Sequence, residues 1–507
     1  MLASLVRRDP VVWAVGLAVF GLHAAFAGGY DFFRNELYYI VCGRHPAFGY
    51  ADQPPLVPLM AAATQMFGLN LFLLRLPAAL AAGALVVLTG AFARLLGGGA
   101  GAAILAGAAV ALSPALTALT QIMTTSTFEP LGWTLCAYLL ARAVVRAESR
   151  ALLWAGVAAG VSMQAKYGIA FWLFGLVVGL ALLPGRRMLV SRAAWQAAGI
   201  AVAITAPSLI WQSVYGWPFL QVMQHHSETH SNFTGTPLQY EIGQALANNI
   251  VLAPLWLAGM VAPFFVAQLR PVRFVAIAYG VSAALIIGLQ GKDYYLFAAY
   301  PALFALGAVA AARLPGWLSA GWMVLATAAA APVVPVVLPV LDPPVLAAYL
   351  DRHALRPAPD EAAGVGAPLT QVFSDELGWR ALEQKVAAIY HALPPEDQKR
   401  AAIIGSNYGE AAAIDVYGRA DGLPPAISGQ DQYYFWGPRG FDGSVVIHIN
   451  GKPADLERWR HFCAGGFEIA GTFGVELAMP YERDRPIFVC RGLPVPLDEA
   501  WPRFKRM

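Results

Sequence analysis

The sequence predicts a polytopic α-helical membrane domain followed by a soluble α/β domain. Three observations carry this reading. Up to about Leu341 the chain is a succession of apolar runs, each near the roughly 20 residues that cross about 30 Å of hydrocarbon. After Asp342, acidic and basic residues recur and no run is long enough to span. Over the whole chain 58% of residues are hydrophobic and 13% charged, about half the charged share of a typical soluble protein. The division falls at 1–341 and 342–507, and the second piece has an ordinary single-domain size.

About eleven spans are expected, at 11–28, 71–93, 100–119, 129–147, 151–165, 168–185, 193–214, 246–268, 273–290, 294–312 and 316–340. With the N-terminus in the cytoplasm, Arg7, Arg8, Arg94, Arg142, Arg146, Arg150, Arg186, Arg187, Arg192, Arg270, Arg273 and Arg313 fall on the cytoplasmic side. Only Arg34, Arg44, Arg75, Lys166 and Lys292 fall outside, the asymmetry expected of a multi-pass protein. An odd number of spans then places 342–507 outside the cytoplasm. The first span runs straight into a charged loop and reads as a retained anchor, not a cleaved signal. A net charge of +3 is too slight to suggest nucleic acid. Cys463 and Cys490 both lie in the outer domain, where a disulfide persists; a bridge and two buried thiols both fit.

The outer loop 30–70 is where chemistry is expected. Its sequence from Tyr30 reads YDFFRNELYYIVCGRHPAFGYADQPPL, which sets Asp31, Arg34, Glu36, Arg44, His45 and Asp52 at a membrane border. Charges there face water or a substrate cavity. Pro54 and Pro55 stop the helical pattern and hold Asp52 at a rigid turn. An interfacial ion pair of Glu36 with Arg34 or Arg44 is the plainer reading.

Three further polar interruptions open to the same side. Glu129 precedes Pro130 at the mouth of the fourth span, where a cap in the helix dipole is the plainer reading. Lys166-Tyr167-Gly168 separates the fifth and sixth spans, and Lys292, Asp293, Tyr294 and Tyr295 begin the tenth. Both lysines break the positive-inside pattern; a bound phosphate and snorkelling each account for them. In the loop 215–244, His225, His226 and His230 include an i, i+4 pair suited to a divalent metal, although HHSETH lacks the protease arrangement of HExxH. Polar loop histidines are the plainer reading, and no cofactor is required; a divalent metal is the alternative. Carboxylates with lysines around one outer cavity suit a reaction in which a carboxylate takes a proton from a hydroxyl while cations receive a departing phosphate.

Together RNELYYIVCGRHPAFGYADQPPL, TFEPLGWTL, LIWQSVYGWPF and GKDYYLFAAYP resemble the bacterial glycosyltransferase family 39 proteins, relatives of the protein O-mannosyltransferases and of the aminoarabinose transferase that modifies lipid A. The resemblance covers the chain to about residue 340. The segments SNYGEAAAIDVYG, LPPAISGQDQYYFWGP and AMPYERDRPIFVCRG are similar to the tail of one bacterial branch. It implies a C-type glycosyltransferase fold in the bacterial inner membrane, a polyprenyl-phosphate sugar donor, an inverting transfer on the outer face, and a lipid, glycan or protein acceptor. The family's first-loop acidic pair, whose aspartate is the base, reads Asn35-Glu36 here. Asparagine cannot serve as a base, so the role passes to Glu36 or Asp52, or activity is altered. Gln53 stands where some relatives carry a phosphate-binding lysine, which shifts that duty to Lys166, Lys292 or Arg34. Glu129 fills the later acidic position, and Tyr167, Tyr294 and Tyr295 complete the expected substrate-binding set.

In the outer domain, strand-like runs at 400–404, 443–449 and 485–490 and helical ones at 377–393 and 409–417 suggest a small α/β layer. The Ser406-Asn407-Tyr408-Gly409 turn is either an anion site at a helix start or an ordinary connection. Tyr433, Tyr434, Phe435 and Trp436 suit a sugar platform or a docking surface. The rival function is a transporter or flippase of a lipid-linked or amphipathic solute, which places polar residues at the bilayer midplane in repeated broken helices; no clear repeat is found here. A scaffold with a degenerate site is the third reading, supported by Asn35 alone.

Overall fold

The computed structural model describes residues 9–228, 233, 235–356, 366–449 and 453–507. Each expected apolar run contains a helix, beginning with Pro10–Phe26 and Leu71–Leu95 and ending with Gly316–Ala330. The expected count of eleven spans is not confirmed. Among the described residues five helices are long and apolar enough to cross a membrane, or up to seven if each of two bent pairs is one span. Length and charge explain the shortfall. Pro10–Phe26 and Ile169–Ala181 are apolar but short, Ser149–Ala165 has 17 residues, and Glu129–Arg146 carries Glu129, Arg142 and Arg146.

The two bent pairs meet at their breaks. Ala100–Ala111 turns by 63° into Pro114–Thr120, and Pro237–Ala247 by 102° into the segment from Ile250. Ser113 Oγ donates to Asn248 Oδ1 at 3.0 Å, and Asn249 Nδ2 donates to the carbonyls of Leu112 and Ala326 at 3.2 and 2.9 Å. Side chains thus serve backbone groups that a broken helix leaves bare, the condition for irregular backbone at depth. Close packing elsewhere comes from small residues: a Cβ on Gly307 would lie 1.9 Å from the Leu255 carbonyl oxygen, and one on Gly259 2.1 Å from that of Leu303. The helices Ala253–Phe265 and Tyr300–Ala311 therefore touch backbone to backbone, as small-residue membrane helices do. Trp195, Val202 and Ile210 are exposed on Arg192–Val214, apolar surface suited to lipid.

The C-terminal part holds four strands, β1 (Ala401–Ile404), β2 (Val445–His448), β3 (Gly466–Phe473) and β4 (Arg485–Arg491), in the order β1-β2-β4-β3. β1 and β2 are parallel; β4 runs antiparallel to both its neighbours. Alternation sends Ala401, Ile403, Val445 and Ile447 to one face, where Trp379–Ala392 and Tyr408–Tyr417 cover them. That same core takes in Leu37, Tyr38, Tyr39, Ile40 and Val41 of the first-loop helix Arg34–Arg44. Ala402, Ile404, Val446, Cys463 and Cys490 form the core of the other face.

Cys463 and Cys490 are bonded, with Cα atoms 5.3 Å apart. The bridge closes a loop over a sequence separation of 27 residues. Replacing both by serine is expected to cost about 2–4 kcal/mol of the stability of this part by restoring freedom to the unfolded chain, read as a lowered midpoint when C-terminal tryptophan fluorescence is followed in denaturant.

Candidate active site

The first loop is built on a buried ion cluster. Glu36 is fully buried and its two oxygens accept four hydrogen bonds. Phe33 N (2.9 Å) and Arg75 Nη2 (2.8 Å) reach Oε2; Arg75 Nε (2.9 Å) and Met123 N (2.9 Å) reach Oε1. The bond from Phe33 N caps the helix that Glu36 helps to start. Arg75 also donates to the carbonyls of Ala27 and Asp31 and pairs with Glu376 at 3.3 Å. Burial pushes the Glu376 carboxyl up to about 8, against the pull of Arg75 and with the push of Glu36. At neutral pH Glu376 is then a neutral acid, which eases the charge load of a buried site. Sequence reasoning gave Arg75 no role, although it is the sole charge in the first turns of a 25-residue apolar helix.

Asp52 has other surroundings. Tyr50 N donates to the Gln53 carbonyl (2.9 Å), Tyr50 OH to the Cys42 carbonyl (2.9 Å), and Gln212 Nε2 to the Tyr50 carbonyl (2.8 Å). The turn ahead of Pro54-Pro55 is therefore rigid, as the proline pair implies. Asp52 is partly buried and its Oδ1 accepts from Tyr38 OH at 2.7 Å. Burial pushes its carboxyl up to about 6, with the Tyr38 bond opposing.

The C-terminal part completes this corner. Tyr38 OH accepts from Gln432 N at 3.2 Å, and Gln432 Oε1 accepts from Ala51 N at 3.0 Å. The adjacent Asp431 is buried, with φ +49°, a left-handed conformation uncommon outside glycine. Burial raises its carboxyl well above the usual carboxylate range, the Asp52 charge adds to this, and Arg34 opposes it. Two interacting carboxyls of this kind ionise in sequence, not together. Asp431 and Gln432 were missed as site residues; the one available signal was an acid set directly before an aromatic run.

Asn35 is held by the same interface. Its Oδ1 accepts from Tyr408 OH at 2.7 Å, and Tyr417 OH donates to Asp31 Oδ1 at 2.8 Å. The Arg34 guanidinium lies over the Tyr408 and Tyr481 rings, 5.3 and 5.7 Å from their centres, and 3.5 Å from Asp375. Gln53 is buried, and its amide meets no nitrogen or oxygen partner among the described residues.

A second cluster gathers the remaining expected residues. Lys166 Nζ donates to Glu129 Oε2 (2.8 Å) and Ser126 Oγ (2.9 Å), and it sits 4.3 Å from the centre of the Tyr295 ring and 5.4 Å from that of Tyr294. Lys292 Nζ is 6.0 Å from the Tyr294 ring centre. Gly168 follows because space is short: a Cβ there would lie 2.6 Å from Glu129 Oε1. Tyr167 packs edge-on against Phe219, 4.9 Å between ring centres. The clusters adjoin through Thr125, which neighbours Ser126 in the chain and bonds Tyr39, a residue also bonded by Asn35.

Two expectations change. The Ser406-Asn407 turn does start a helix, but Glu410 fills it: its carboxylate accepts from Ser406 N (2.6 Å), Ser406 Oγ (3.0 Å) and Asn407 Nδ2 (3.0 Å). An anion there would meet a carboxylate already in place. The aromatic run is a docking surface: Tyr433 packs near Tyr38, Trp436 near His45, and Phe435 against Trp211 and Tyr215. As for a metal, His225 and His226 lie on the helix Pro218–Glu228 and His230 lies outside the described residues. Among the described residues no group of three or more His, Cys, Asp or Glu is gathered for an ion.

Comparison with known structures defines the fold. A structure of ArnT from Cupriavidus metallidurans in the apo state matches with a TM-score of 0.61 at 16% identity, covering 94% of this chain and 96% of that one. The same protein bound to undecaprenyl phosphate matches with a TM-score of 0.58 at 16% identity, over 94% and 97% of the two chains. Arabinofuranosyltransferase AftD from Mycobacteria matches at 0.50 and 14% identity, over 95% of this chain and 42% of that one. The chain has the C-type membrane glycosyltransferase fold, mostly helical with a small C-terminal sheet. Residues 52–211 match the dolichyl-phosphate-mannose-protein mannosyltransferase family. Among curated proteins none matches in sequence.

Proposed function

We propose that the protein is a membrane glycosyltransferase that moves a sugar from a polyprenyl-phosphate donor to an acceptor hydroxyl on the extracytoplasmic face. The observation that carries this reading is Asp52, a carboxylate fixed by Tyr38 and poised near pH 6, beside a cluster holding Lys166 and Lys292. A catalytic base works best with a pKa near the operating pH. Glu36, by contrast, already accepts four hydrogen bonds, so the base role goes to Asp52. Its carboxylate takes the proton of the acceptor hydroxyl. The acceptor oxygen forms a bond to the anomeric carbon as that carbon's bond to the phosphate oxygen breaks, with inversion. The lipid phosphate leaves with the bond's electron pair against Lys166 and Lys292, and Glu129 orients Lys166. Undecaprenyl phosphate bound to ArnT supports a lipid phosphate of this kind.

The Cys463–Cys490 bridge and the arginine asymmetry support an inner-membrane protein whose N-terminus is cytoplasmic and whose residues 342–507 form an outer domain. The acceptor is an envelope lipid, glycan or protein.

The test is transfer by the purified protein in lipid, with a panel of polyprenyl-phosphate sugars and an envelope extract as acceptor. Absence of transfer and of donor binding across the panel would sink the reading in favour of a transporter. Because Asp52 must be ionised to accept a proton, kcat/KM is expected to rise with pH and level off above about pH 6. A flat profile between pH 5 and 7, values that bracket that pKa, counts against Asp52.

A further inference from the structure

The C-terminal part holds a cavity of about 750 Å³ that the transfer site does not use. Ile404 and His448, which close the parallel strands β1 and β2, line its floor. That is the crevice outside the carboxyl ends of strands where α/β layers take ligands. Arg34, Arg485, Arg503, Lys505 and Arg506 line it, and among the described residues no aspartate or glutamate does. Arg34 is paired with Asp375, and the other four cations, with no aspartate or glutamate in the described lining, focus a positive potential inside the concavity. Trp459 and Phe504 form apolar wall, their ring centres 6.3 Å apart, and aromatic faces of this sort pack on sugar rings.

We propose that this cavity binds an anionic saccharide, bearing phosphate or carboxylate, as the recognised part of the acceptor. Its role as acceptor site rests on the function proposed above; the binding does not. Arg34 connects the two places, since it lines the cavity and follows directly in the chain on the segment that carries Asp31. It also acts electrostatically on Asp431. Lys505 Nζ donates to Gln221 Oε1 at 2.7 Å, tying the cavity's rim to the helix Pro218–Glu228. Arg503 is exposed and makes no hydrogen bond or ion pair among the described residues, so its removal reports on ligand, not on fold.

The experiment is equilibrium binding to the full chain in lipid nanodiscs, with mannose 6-phosphate, galacturonate, inorganic phosphate and neutral mannose as probes. Mannose 6-phosphate or galacturonate is expected to bind more tightly than mannose and more weakly as salt rises, and comparing those two tells phosphate from carboxylate. Arg503→Gln is expected to weaken the anionic sugar by about tenfold, the loss of one charge-assisted bond, while Arg503→Lys retains part of it. Arg485→Gln provides a second variant at another wall. Equal binding of mannose and the anionic sugars, no binding of either anionic sugar, or affinities unmoved by both glutamine variants would overturn the proposal. Inorganic phosphate binding as tightly as mannose 6-phosphate would overturn its saccharide part. Undecaprenyl phosphate binding, measured in parallel, separates the outcomes: its loss with anionic-sugar binding intact condemns the transferase reading and leaves the cavity standing.

Discussion

Asp52→Asn is expected to lower sugar transfer by about 10²–10⁴-fold, the contribution of a positioned general base, while lipid-donor binding stays within about twofold. The substitution keeps the shape and still accepts the Tyr38 hydrogen bond, so it removes the proton acceptor and little else. A loss confined to kcat is what a transition-state role requires; a raised KM with unchanged kcat would make Asp52 a binding residue only. Asp431→Asn supplies the paired measurement. Asp431 ionises only after Asp52 and is neutral where Asp52 titrates, so its removal should leave the acidic limb of the rate profile in place. Tyr38→Phe does move the limb. It withdraws a hydrogen bond that favours the ionised form, so the limb moves up.

The largest effect on stability is expected at Arg75. Arg75→Met leaves Glu36 and Glu376 facing each other in a buried site and should cost about 3–5 kcal/mol, the usual result of breaking a buried pair from one side. The measurement is thermal unfolding in detergent. A loss below about 1 kcal/mol, the range of an exposed pair, would show the cluster to be solvated. Glu376→Gln is the informative contrast, since it keeps a neutral, hydrogen-bonding side chain where the acid is already neutral at pH 7. The sign of the pH effect follows. With its folded carboxyl raised from 4.5 to about 8, the folded chain holds a proton that the unfolded chain releases. Its contribution to stability is complete below about pH 4.5 and is lost as pH rises through about 8. Glu376→Gln should remove that alkaline decline, whereas Arg75→Met should steepen it.

How much of this could be read in advance divides along physical lines. Apolar length located the helices because burial in lipid is a property of a local window, yet the number that cross depends on where helices bend. Asn249 at φ +71° turns one apolar run through a right angle that no hydropathy window registers. The proline pair placed Asp52 on a rigid turn, since that constraint is local too. Strands β1, β2 and β4 were legible as buried apolar runs, whereas β3 lies at the sheet edge and has no buried residue, half of it being exposed. The partners of the first loop were beyond reach. Tyr408, Gln432 and Glu376 stand more than 300 residues from the side chains they meet, and no periodicity connects such positions. Glu36 illustrates the cost. As a residue type at a membrane border it looked fit for proton transfer, and only the four donors around it favour the proposed part of an anchor.

The dependence of Tyr38 on Gln432 has a consequence for the life of the chain. Residues 431–432 are synthesised after every apolar helix has emerged, and they reach the first loop only once the last third of the protein stands on the same side of the bilayer. A nascent protein thus carries Asp52, the proposed base, from the start but lacks the wall that sets it. A chain ending at 341 is expected to insert yet remain inert, and adding residues 342–507 in trans should restore transfer. In the proposed reaction, competence would then arrive only with residues 342–507, after the apolar helices.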